Sequence, residues 1–92
     1  MPVSDKRVQI PKSAVEDVIK GLRVELDRRT KEKGAGAFLS THEVLGVVSE
    51  EFHELEHAVR SNRLKDVHNE LVDIAVACIF GVACIQEERM DW

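Results

Sequence analysis

The chain has 92 residues and a mass of 10.4 kDa, enough for one domain and too little for two that fold separately. Hydrophobic residues at 43% and charged residues at 33% exclude a disordered chain, while 4% aromatics, two prolines and five glycines argue against a small β-sandwich or barrel. Against 17 acidic residues stand 13 basic ones, and a net charge of −4 is a poor balance for gripping a nucleic-acid polymer.

Residues 1–12 are mixed polar, without the apolar centre of a signal peptide. They read as an extended arm in which Pro2 and Pro11 limit helix entry, ahead of a single helical domain over 13–92. Ser13 can cap a first helix with the stripe Val15, Val18, Ile19, Leu22 and Leu26. That helix runs into a basic end, Arg28, Arg29, Lys31 and Lys33, and stops before Gly34, the start of a flexible loop over 34–38. Ser40 and Glu43 have capping-box spacing and open a second helix, predicted to reach about Arg60 and to break at Ser61-Asn62.

A third helix is predicted from about Arg63 to Glu88 on the stripe Leu64, Val67, Leu71, Ile74, Cys78, Val82 and Ile85. From Val72 onward it is apolar nearly all round, which in so short a chain implies cover by another subunit. The most apolar stretch, 72–85, is shorter than a membrane span and holds Asp73, so no membrane association is expected. Cys78 and Cys84 point in different directions on one helix and cannot bridge; two unpaired thiols suit a reducing, cytoplasmic setting. The expected fold is therefore all-α: a bundle of three main helices per chain, completed by a homodimer or homotetramer.

At about 100° per residue, Glu51 falls inside the apolar arc formed by Val44, Val47, Val48, Leu55 and Ala58, with Glu54 and then Glu50 to one side. On the third helix Glu70 and Asp73 border the stripe of Val67, Ile74 and Ala77. Two such pairs on neighbouring antiparallel helices converge. At about 5 Å and an effective dielectric near 20, each pair of carboxylates repels by roughly 3 kcal/mol, too much for a domain of about 5–15 kcal/mol to carry uncompensated. Either the groups are protonated, or basic partners meet them, or a divalent cation binds. Between Glu70 and Glu87 there is no Lys, Arg or His, so the third helix offers no local partner. All-oxygen ligands at this charge density suit Mg²⁺ or Mn²⁺.

The sequence Glu50-Glu51-Phe52-His53-Glu54 followed by Glu70-Leu71-Val72-Asp73 resembles the EExxE…ExxD signature of the MazG-like, all-α nucleoside triphosphate pyrophosphatases. The flanks are similar too: a basic helix end, a glycine loop, then Ser40-Thr-His-Glu-Val-Leu-Gly, then the acidic motif and an apolar third helix. The resemblance implies a helical bundle completed by a second subunit and Mg²⁺-dependent cleavage of a nucleotide between its α and β phosphates, giving a monophosphate and pyrophosphate. By motif position it implies Glu51, Glu54, Glu70 and Asp73 as metal ligands, with Glu50 beside Glu51 helping to position or deprotonate the attacking water. Lys31 and Lys33, or Arg28, are candidates for the triphosphate; Phe38 for stacking on a base; His42 for a further substrate contact.

Three other readings compete. His53-Glu54-Leu55-Glu56-His57 matches the zinc-protease motif H-E-x-x-H, but its histidines lie nearly opposite the apolar arc and face water. A di-iron carboxylate bundle needs Glu-x-x-His on two helices, and the third helix has Asp73 where a histidine is required. The last is a non-catalytic helical dimerisation module, whose stability would not respond to Mg²⁺. Within the resemblance, a phosphoribosyl-ATP pyrophosphatase is similar in length and acidic motifs, but segment 34–43 fits that branch less well.

Overall fold

A computed structural model of the chain describes residues 7–92 as three helices, α1 (Lys12–Lys33), α2 (Thr41–Arg60) and α3 (Leu64–Gln86), with no strand among the described residues. The arm expected over 1–12 lies partly outside the described residues; 7–11 are exposed and non-helical. α1 begins at Lys12, one residue before the predicted Ser13 cap. Pro11, fixed at φ −66°, supplies the boundary, and its carbonyl accepts from Ala14 N–H at 3.0 Å, so no side-chain cap is used.

α2 opens at Ser40, whose hydroxyl accepts from Glu43 N–H at 3.3 Å. The reciprocal half of the expected capping box is shifted by one residue: the Glu43 carboxylate accepts from Leu39 N–H at 3.0 Å. Both α2 and α3 end in the same way, with one residue in the left-handed region and two reversed backbone bonds. Asn62 (φ 56°) closes α2 as Arg63 N–H returns to the Ala58 carbonyl. Glu88 (φ 53°) closes α3 as Arg89 N–H returns to the Cys84 carbonyl, so α3 stops two residues short of the predicted Glu88. That turn sends the chain back across the start of α2. There Asp91 N–H donates to the Leu39 carbonyl at 3.1 Å and Thr41 N–H to the Asp91 carbonyl at 2.9 Å, pinning the C-terminal residues beside the 34–39 loop.

The main packing is α2 against α3, and α1 leans more lightly on α3. The buried residues are small: Ala58 on α2, and Val76, Ala77, Gly81 and Cys84 on α3. α1 buries none of its residues. Its apolar stripe stays open, with Val15, Val18 and Ile19 at 50%, 59% and 52% exposure. The chain presents 7775 Å² of surface, whereas a folded monomer of this mass presents about 5,400 Å². α3 as a whole, at 23 residues, has the length and apolarity of a membrane span, a test that the core helix of a soluble protein also passes. It also carries Asp66, Glu70 and Asp73 and packs its buried positions on α2.

Candidate metal centre

α2 and α3 bring Glu51, Glu70 and Asp73 together: one carboxylate oxygen from each lies within 4.8 Å of the others. All three residues are half-buried. Glu51 Oε2 and Glu70 Oε2 are buried and have no hydrogen-bond partner. Their grouping follows from helical geometry, because Glu51 sits one turn after the cleft-lining Val47 and Asp73 one turn after Glu70. Glu54 is more exposed and lies beside Glu70. Glu50 is exposed on the rim beside Glu51.

The crowding raises proton affinities. Burial pushes Glu51 above the usual carboxylate range and the charges of Asp73, Glu54 and Glu50 add to the shift, while the Glu70 carboxyl, when protonated, favours ionised Glu51 and opposes it. Burial likewise raises Glu70, and the adjacent Glu51 carboxylate favours its protonated form. Glu54 is raised chiefly by the neighbouring Glu70 carboxylate, which favours the protonated form of Glu54. A dication and a proton relieve the same repulsion, and a single dication would reach both orphaned oxygens and Asp73 together. The donor set, all carboxylate oxygen, fits Mg²⁺ or Mn²⁺ in kind.

A basic partner does reach the cluster, from a residue the sequence reading left in the helix tail. Arg29 of α1 pairs with Asp73, 44 positions away, and its Nε donates to Glu25 Oε1 at 2.8 Å. Burial works against the Arg29 charge, yet Asp73 and Glu25 outweigh it and hold the guanidinium firmly protonated. Arg28 and Arg29 in turn hold Glu25 down to about 2. The signal for Arg29 lies in the sequence: Leu22, Leu26, Arg29 and Lys33 continue one stripe at helical spacing, so the last two face the same way as the first two.

Beside the cluster is a cleft of about 260 Å³ lined by all three helices and the loop. α1 contributes Leu26, Arg29, Thr30 and Lys33, and α2 contributes Val47 and Glu51. α3 contributes Asp73, Val76, Ala77 and Phe80, and the loop contributes Gly34 and Phe38. Phe38 meets Phe80 edge-on, ring centres 5.5 Å apart at 76°. Of the candidate substrate residues, Phe38 and Lys33 therefore line this cleft; Lys31 and His42 are exposed and do not. Arg28 is tied along the surface of α1 to Glu25 and to Glu32, the latter at 2.9 Å. His53 and His57 are exposed on α2 and stand outside the acidic cluster.

No known protein family, curated protein or solved structure matches the chain.

Proposed function

We propose that the protein is a Mg²⁺-dependent pyrophosphohydrolase of the MazG-like type, cleaving a nucleoside or deoxynucleoside triphosphate between its α and β phosphates in the cytoplasm. The observation that carries this reading is the pair of buried, partnerless oxygens on Glu51 and Glu70, converging with Asp73 at the edge of a cleft with an apolar, aromatic wall and a cationic rim. Phosphoryl chemistry asks for charge neutralisation and alignment more than for covalent catalysis. A hard dication supplies the first and activates water, with Mn²⁺ a workable substitute for Mg²⁺.

The chain's own residues do the rest. Glu51, Glu70 and Asp73, with Glu54 alongside, hold the cation. Glu50, exposed next to Glu51, takes the proton of the attacking water. Lys33 draws the phosphates to the rim, and Phe38 with Phe80 offers the flat apolar surface on which a base packs. A panel of nucleotides assayed by pyrophosphate release tests the reading. Release from at least one triphosphate, abolished by chelation, is expected; no release from any of them refutes it. Phe38→Ala raises KM about tenfold while changing kcat less, because the lost contact is with the base and not with the reacting phosphate.

The open stripe of α1 and the outer face of α3 support a homodimer or homotetramer as the working form. A charge placed in that stripe, Val18→Glu, shifts the sedimentation mass from a multiple of the chain mass to the chain mass alone. Unchanged assembly in that variant would put the contact elsewhere.

A further inference from the structure

We propose that Arg29 is a counter-ion held in reserve: it occupies Asp73 while the acidic centre lacks a cation, and passes to the phosphate chain of the substrate once the cation takes Asp73. This inference rests on the reading of the centre as a dication site acting on a phosphorylated substrate.

Arg29 is placed for such a transfer. Besides the 260 Å³ cleft, a groove of about 390 Å³ runs between α1 and α3, and Arg29 and Asp73 are the two residues that line both. The ion pair is thus the partition between the two spaces. Glu25, which borders only the groove, anchors the other edge of the guanidinium. Arg29 therefore keeps one fixed partner, outside the acidic cluster, when it gives up the other.

Charge gives the direction of the exchange. An oxygen of Asp73 shared with a dication carries less negative charge for Arg29, and the dication itself repels the guanidinium. Once displaced, that group lies at the mouth of the cleft where an entering phosphate brings its own negative charge. The planar fork suits phosphate oxygens as well as it suits carboxylate, and such charge-assisted bonds are the strong ones. Arg28 is not available for the task, being shared between Glu25 and Glu32.

The test measures two affinities that must move in opposite directions. Mn²⁺ alone is titrated by electron paramagnetic resonance, and inorganic pyrophosphate by calorimetry at saturating Mg²⁺, for the parent and Arg29→Gln. The expected result is Mn²⁺ binding about threefold or more tighter in Arg29→Gln, since a competing positive charge is gone, with pyrophosphate binding about tenfold weaker. An arginine that only paired with Asp73 would also free the cation site when removed, but would leave pyrophosphate binding unchanged. Unchanged or weaker Mn²⁺ binding in that variant, or unchanged pyrophosphate binding, overturns the inference. In the parent, the Arg29 Nε–H resonance follows the same transfer without any substitution: it moves on adding Mg²⁺ and moves again on adding pyrophosphate. A resonance indifferent to both also overturns it. A parent that binds no Mn²⁺ at all overturns the dication reading itself, a separate failure from the loss of Arg29's role.

Discussion

Glu51→Gln should make the metal-free protein more stable and abolish nearly all of the proposed pyrophosphohydrolase activity. The substitution keeps the shape of the side chain and removes one negative charge from a cluster that holds Glu54, Glu70 and Asp73 within interaction range. Two carboxylates at about 5 Å repel by roughly 3 kcal/mol at an effective dielectric near 20. Solvent screening of half-buried groups and partial protonation reduce the gain to about 1 kcal/mol. In a small domain that is a rise of about 4–8 °C in melting temperature, measured in chelator. In Mg²⁺ the order reverses, because the parent gains from the cation and the variant has lost a ligand. Pyrophosphate release falls at least about a hundredfold. If the variant is destabilised in chelator and fully active in Mg²⁺, Glu51 is an ordinary surface carboxylate.

The second large effect is the pH dependence of stabilisation by Mg²⁺. Glu51, Glu54 and Glu70 have proton affinities raised above the ordinary carboxylate value of 4.5. A carboxyl group raised in the folded state stabilises below its unfolded pKa, and that contribution is lost as pH rises through the folded value. The metal-free protein therefore loses stability as pH climbs above 4.5 through the raised values of these three groups. Glu25 works in the opposite sense: held down to about 2, it stabilises above 4.5, and its contribution disappears as pH falls toward 2.

On the proposed reading Mg²⁺ would compete with the protons on the cluster, so its benefit should grow with pH. At about a hundred times its dissociation constant a cation adds about 2.7 kcal/mol, or about 11–22 °C for a domain of this size. Melting curves with and without Mg²⁺ at pH 8 should separate by about that amount, and at pH 5 by less than half of it. Equal separations at both values would mean that the raised groups are not the ones that bind the cation.

Much of the architecture was readable because it is written in local spacing. The stripes of α2 and α3, the Ser40 cap, the stop at Gly34 and the break at Ser61-Asn62 each depend on residues within one or two turns. The convergence of Glu51, Glu70 and Asp73 was readable for the same reason, given that α2 and α3 pack antiparallel. What escaped is long-range. The partner of Asp73 comes from α1, and a search confined to α3 could not find it, although Arg29 continues the stripe of Leu22 and Leu26. The meeting of Phe38 with Phe80, and the return of Asp91 onto Leu39 and Thr41, join segments about forty or more residues apart. Lys31 and His42 have suitable residue types in the right neighbourhood, but type alone does not say which way a side chain turns, and both stand outside the cleft.

The most direct measurement is an anomalous difference map from crystals grown in Mn²⁺, collected on both sides of the manganese edge. The account predicts a peak bounded by carboxylate oxygens of Glu51, Glu70 and Asp73, absent from the same map of Glu51→Gln. Well-ordered carboxylates with no peak between them at millimolar Mn²⁺ would contradict it.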